Sequence, residues 1–160
     1  MLTYASVIVT FNRKASVREA LLRQFNQTVQ AQKIIVVDNA STDGTHEYIE
    51  DILHSHAEQV KYLRLDENLG GSGGFYYGMK EALNEHTDLI GISDDDASYD
   101  KDYFEKIIKG AENNPKDMAF CGVMYDHEEM TAETAGTAKH LLSDNTLKFQ
   151  WATKDEYLNG

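Results

Sequence analysis

A chain of 160 residues, 41% of them hydrophobic, is long enough for one compact domain with a proper core. Its formal net charge of −12 argues against nucleic acid or an anionic lipid surface as a bulk partner, because those surfaces attract clustered lysine and arginine. No stretch approaches the ~20 consecutive apolar residues of a membrane-spanning helix, and the lone cysteine, Cys121, has no partner for an intrachain disulfide, so a soluble chain in a reducing cytoplasm is expected.

In chain order, residues 5–10 form a short β-branched run that reads as a strand buried on both faces. Ser16 and Glu19 then have capping-box spacing ahead of Ala20, Leu21, Leu22 and Phe25, which predicts an amphipathic helix. A second strand at 33–37 leads through a polar turn at 38–44 to a helix with Ile49, Ile52 and Leu53 inward. A third strand at 60–65 is followed by a glycine-rich loop at 68–74 and a helix carrying Phe75, Met79, Ala82 and Leu83. The fourth strand, 89–92, runs into Ser93, Asp94, Asp95 and Asp96. A helix with Tyr103, Phe104, Ile107 and Ile108 follows, then a strand at 118–124. Past 124 the periodicity weakens, with an exposed loop at 131–137 and one further strand at 147–151 expected. The domain division this implies is a core at 1–124 and the incomplete start of another region at 125–160, as in a fragment.

Strands alternating with helices at this spacing imply an α/β fold, a mostly parallel sheet with helices on both faces. Such sheets bind ligands beyond the carboxyl ends of their strands, so the loops after strands should gather at one edge. There, Asp94 and Asp96 alternate with Asp95 at a strand end, and hard oxygen ligands of this kind suit Mg²⁺ or Mn²⁺. The competing reading is a solvated strand end, with Asp96 or Ser98 capping the next helix. A phosphorylated ligand held among such acids requires a cation between them. Asp38 at the end of the second strand is placed to accept a hydrogen bond from a base or ribose, or else merely forms the turn. The loop holding Asn68, Gly70, Gly71, Gly73 and Gly74 lets a ligand approach backbone N–H groups, yet it is neither a Rossmann fingerprint nor a Walker A loop. Thr10, Phe11 and Arg13 offer a ring for stacking and a guanidinium for phosphate, with a core phenylalanine and a solvated arginine as the plainer alternative. Trp151, Tyr76 and Tyr77 have the chemistry to line a sugar site, though packing accounts for them equally.

With these residues assembled, the chain resembles the family 2 glycosyltransferases of the GT-A fold, a Rossmann-like nucleotide-diphospho-sugar transferase architecture. The opening 7–13 segment, the 36–45 segment VVDNASTDGT, the 67–71 segment ENLGG and the acidic 94–96 triplet stand in that family's order and spacing. Within it, NLGGSGGF at 68–75 is most similar to bacterial galactofuranosyl- and rhamnosyltransferase-type members. The resemblance implies a metal-dependent, inverting glycosyltransferase that moves a sugar from a UDP- or dTDP-linked donor to a glycan or lipid-linked acceptor in cell-surface polysaccharide synthesis. A non-catalytic nucleotide-sugar-binding module is the alternative. On that resemblance Thr10 and Phe11 flank the pyrimidine, Asp38 binds the base, Asp94 serves the ribose or metal shell, and Asp95 belongs to the nucleotide-sugar-binding residues. Asp96, with Asp94, holds Mn²⁺ or Mg²⁺, while Arg13, Asn68, Gly70, Gly71 and Gly73 contact the diphosphate or sugar. The catalytic carboxylate base is expected beyond Gly160, since Asp126, Glu128, Glu129, Asp155 and Glu156 sit in no recognisable context. The implied location is the cytoplasm, at the inner face of the membrane for a longer protein.

Overall fold

The computed structural model describes residues 1–120, in two compact units divided between Phe104 and Glu105. The first unit holds β1 (Tyr4–Thr10), α1 (Lys14–Phe25), β2 (Lys33–Asp38), α2 (Thr45–Tyr48), α3 (Glu50–Ser55), β3 (Val60–Arg64), α4 (Gly70–Ala82) and β4 (Leu89–Asp94). The last helix, α5, spans Tyr103–Asn113, and Asn114 closes it by donating from both its backbone and side-chain nitrogens to the Gly110 carbonyl. Among the described residues no helix is long and apolar enough to cross a membrane.

All four strands are parallel, in the order β3-β2-β1-β4. Every residue of β1 and all but the first of β2 are buried, as a sheet covered on both faces demands. On one face Gln24 of α1 donates to Ser6 at 2.9 Å and Tyr4 stacks on Phe104 with ring centroids 4.5 Å apart. On the other, Ala5, Val7, Val9, Ile35 and Val37 pack with Ala82 of α4. The α/β class and the helices on both faces are therefore as the alternation implied.

Where local signals met tertiary contacts, the outcome changed. Helix α1 starts at Lys14, ahead of Ser16, and no side chain of its own caps it. The Lys14 N–H instead donates to the Asp43 carboxylate at 3.1 Å, so a partner 29 residues away replaces the capping box. The helix after β2 breaks into α2 and α3 at buried Ile49. Residues 70–74, expected as a loop, are the first turns of α4. Its inward stripe is Gly74, Gly78 and Ala82, whereas Met79 and Leu83 are exposed. Added β-carbons explain the exchange. One at Gly74 would lie 2.6 Å from Val9 Cγ1, and one at Gly78 would lie 2.3 Å from Val7 Cγ1 and 2.9 Å from Val37 Cγ2. The glycines let the helix axis come close to the sheet. Residues 118–120 carry no strand, and the remainder of the 118–124 and the whole of the 147–151 expectations lie outside the described residues, as does the loop at 131–137.

Replacing Gly78 by alanine should therefore destabilise the chain by about 1–3 kcal/mol through overpacking, despite alanine's better helix propensity. Gly71→Ala, with nothing within 4 Å of the new β-carbon, should be neutral or stabilise by up to about 1 kcal/mol. Urea unfolding of the two variants side by side checks the contrast.

Candidate functional site

The strand order reverses between β1 and β4, since β2 and β3 extend to one side of β1 and β4 lies on the other. A crevice opens at the carboxyl ends beside such a switch point. The chain has one there, with a volume of about 250 Å³. Thr10, Phe11 and Arg13 reach it from the end of β1, Asn39 from β2, Asn68, Gly70 and Gly71 from the start of α4, and Asp94 and Asp95 from the end of β4. Asp38, Gly73 and Asp96 are not among its lining residues. An added β-carbon at Gly73 would overlap Leu69 Cβ at 2.3 Å, so that glycine serves close packing within the turn.

Registration levels the strand ends. Thr10 pairs with Asp38, Asp38 with Arg64, and Val9 with Asp94, which sets Asp95 beside Thr10. The Asp95 side chain is 3% exposed, and a buried carboxylate must be compensated. The Thr10 hydroxyl donates to it at 2.6 Å and Arg13 Nη1 lies 3.1 Å away. Burial still pushes its carboxyl above the ordinary value, with the Thr10 hydrogen bond and the Arg13 charge pulling the other way. Its neighbours differ, since Asp94, the last residue of β4, and Asp96, in the turn after it, are exposed. The second arm of Arg13, Nη2, lies 2.9 Å from Asp96 Oδ2, and the hydrogen bond to Asp96 leads the causes that raise the Arg13 pKa.

Asp38 is fully buried at the end of β2 and holds three partners. Its Oδ1 accepts the Ser41 N–H at 2.7 Å, and its Oδ2 accepts Arg64 Nη1 at 2.7 Å and the Tyr62 hydroxyl. Arg64 continues to the Ser41 carbonyl at 2.6 Å. Burial and the bond to Asp38 raise the Tyr62 phenol above its usual range, so it stays protonated and donating. The sequence reading missed Tyr62 and Arg64 because nothing local marks them. Only the parallel β2–β3 register aligns Arg64 with Asp38 and brings Tyr62 within reach.

It also missed Asn39 and Asn12. Buried Asn39 donates from Nδ2 to the Gly70 carbonyl at 2.8 Å and accepts the Leu69 N–H at 3.2 Å, tying β2 to the first turn of α4. Asn12 adopts φ 52° and Ala40 φ 63°, left-handed values that are uncommon outside glycine. Asn12 Oδ1 accepts the Thr42 N–H at 2.7 Å and its own N–H donates to Ser41 Oγ at 2.8 Å, which locks the two strand-end loops together. An asparagine two residues past the end of a strand was the available signal for Asn12, since asparagine tolerates that backbone region. Tyr76 and Tyr77 contact each other on the exposed side of α4 and do not line the crevice. Trp151, Cys121 and the acids at 126, 128, 129, 155 and 156 lie outside the described residues.

Among the described residues no cluster of three or more His, Cys, Asp or Glu side chains offers a complete metal cage. Asp94 and Asp96 instead supply two exposed carboxylates two residues apart. Such a pair fits a hard cation whose coordination is finished by ligand phosphate oxygens and water.

The sequence profile described as Glycosyl transferase family 2 matches residues 6–156. The Galactofuranosyltransferase GlfT1 of Mycobacterium tuberculosis strain H37Rv is 34% identical over 92 residues, which span 57% of this chain and 29% of that protein. Among solved structures, the mannosyltransferase PcManGT from Pyrobaculum calidifontis, in complex with GDP-Man and Mn²⁺, superposes with a TM-score of 0.57 and 22% identity over 68% of this chain and 32% of its own. TarS 1–349 of S. aureus, in complex with UDP-GlcNAc, does so with a TM-score of 0.61 and 17% identity over 79% of this chain and 39% of its own. The chain thus spans well under half the length of these relatives, and the two structural likenesses establish the GT-A fold.

Tyr62→Phe should lower stability by about 1–2 kcal/mol, because it removes one hydrogen bond from a fully buried carboxylate that keeps Arg64 and Ser41 as partners. The midpoint of urea unfolding reads this out, and an unchanged midpoint would mean that Arg64 and Ser41 satisfy the Asp38 carboxylate without the Tyr62 hydroxyl.

Proposed function

The chain belongs to glycosyl transferase family 2, and on that footing we propose that it binds a nucleoside-diphosphate sugar, with a divalent cation, as the donor-side part of a glycosyltransferase. The observation that carries the reading is the single crevice to which β1, β2, the α4 start and β4 all contribute polar residues. Phe11, 40% exposed beside the crevice, presents a ring face on which a uracil or thymine stacks. Gly70 and Gly71 open α4 with no β-carbon in the way, so a diphosphate can approach the backbone of its first turn, where the Gly70 N–H is held by Asn68 Oδ1 at 2.8 Å. Arg13 supplies the cationic partner for the same phosphates. Asp38, already saturated by Ser41, Tyr62 and Arg64, supports the nucleoside side of the crevice by fixing the 39–41 turn. Direct contact with a base requires Arg64 to leave its Oδ2, and the half-exposed Arg64 side chain has room to do so.

Asp94 and Asp96 are the residues we assign to Mn²⁺ or Mg²⁺. Bound there, the cation would neutralise charge on the diphosphate and stabilise the departing nucleoside diphosphate. Asp95 is excluded from that role by burial and by its bonds to Thr10 and Arg13. A glycan or lipid-linked acceptor, inversion at the transferred carbon and a role in cell-surface polysaccharide synthesis complete the reading. The galactofuranosyltransferase likeness supports the transfer of a sugar, and membership of the family supports inversion. A cytoplasmic setting, at the inner membrane face for a longer protein, belongs to the same reading.

Thermal unfolding with Mn²⁺ and UDP tests the donor site. Ligand at ten times its dissociation constant stabilises the folded state by about 1.4 kcal/mol, which for a domain of this size is a rise of roughly 3–5 °C. Asp96→Ala should abolish the Mn²⁺-dependent part of that rise, and GDP in place of UDP should give less. No shift at millimolar ligand would overturn the assignment, whereas a shift without sugar transfer by a longer protein would favour a non-catalytic binding module.

A further inference from the structure

Arg13 meets two carboxylates of opposite character. Nη1 faces Asp95, which is buried and already held by Thr10, whereas Nη2 faces Asp96, whose side chain is 56% exposed. The guanidinium itself is half exposed and lines the crevice. One arm is therefore anchored in a low-dielectric setting, and the other makes an ion pair of the solvent-screened kind that contributes only about 0–1 kcal/mol. The anchored arm keeps the charge at the crevice when the outer arm lets go.

We propose that Arg13 is an exchangeable counter-ion: in the free chain its outer arm neutralises Asp96, and an arriving diphosphate draws that arm away and frees the carboxylate for the divalent cation. This deepens the donor-site reading and rests on it. A cation arriving alone meets a carboxylate whose charge is already compensated, so it binds weakly. Nucleotide arriving first removes the competitor, and the two ligands then favour each other beyond their direct contact. By linkage, the factor by which nucleotide strengthens metal binding equals the factor by which metal strengthens nucleotide binding. Arginine suits the task because its planar fork spans two oxygen ligands at once, which a lysine ammonium does not.

Calorimetric titration of MnCl₂ into the full chain, with and without saturating UDP, tests the exchange in the parent, Arg13→Gln and Arg13→Lys. Arg13→Gln should bind Mn²⁺ alone about two- to fivefold more tightly than the parent, the loss of an ion pair of that size expressed as affinity. UDP should then strengthen its Mn²⁺ binding by a smaller factor than in the parent. Arg13→Lys, which keeps the charge without the fork, should fall between the two and carries the test if Arg13→Gln does not fold, as circular dichroism would report. Equal or weaker binding of Mn²⁺ alone by a folded Arg13→Gln overturns the exchange. An unchanged UDP effect overturns it too, while leaving the donor site intact. Failure of the parent to bind Mn²⁺ even with UDP would sink both the exchange and the donor-site reading.

Discussion

The site is organised by one buried charge. Asp95 stands where the sheet changes direction, with its carboxylate almost wholly removed from water. An isolated charge there would be costly enough to protonate or to unfold the strand end. Thr10 and Arg13 offset that cost. Asp95 turns inward just past the end of β4, while Asp94 and Asp96 on either side of it are exposed. Since its counter-charge comes from the loop after β1, Arg13 is held at the crevice rather than free in solvent. And Thr10, the last residue of β1, is fixed opposite the end of β4.

The second support is steric. Helix α4 lies so near the sheet that Gly74 and Gly78 have valine methyl groups where their own β-carbons would be. That closeness delivers Gly70 and Gly71 to the crevice, and the two bonds of Asn39 hold the helix start in place. On the opposite side of the crevice the chain carries left-handed backbone at Asn12 and Ala40. Such conformations persist only where surrounding bonds over-determine them. Here Ser41 and Thr42 bond to Asn12, and Asp38 to Ser41. The rim is thus built from loops that are individually unfavourable and jointly rigid, a suitable background for holding a ligand without a large ordering cost.

How far the sequence disclosed this depends on the range of the interaction concerned. Strand runs such as 5–10 and 33–37 announce themselves because burial on both faces demands consecutive apolar residues, and the order of strand ends was enough to gather Thr10, Arg13, Gly70 and Asp95 at one edge. The start of α1 was misread because its cap, Asp43, comes from another loop. The inward face of α4 was misread for a related reason. Periodicity arguments weigh large apolar side chains, and this interface selects for the absence of side chain at Gly74 and Gly78. Tyr62 and Arg64 could not be found at all without the β2–β3 register. The acidic triplet was legible as a site but not in its division of labour, since which member turns inward depends on where β4 stops.

That division bears on how an acidic chain can hold an anion. With a net charge of −12, the long-range field opposes a diphosphate. Among the described residues lining the crevice, Arg13 is the sole cation and faces Asp94 and Asp95 across the same small space. Its charge is largely consumed by Asp95 and Asp96, so a bare diphosphate would meet little net attraction there beyond the helix start. Such a crevice becomes more favourable for phosphate when the outer arm of Arg13 turns from Asp96 toward it, and more so when further positive charge arrives. The burial of Asp95 captures the resident cation, while Asp94 and Asp96 stand exposed at the same strand end, two carboxylates open to a second positive charge.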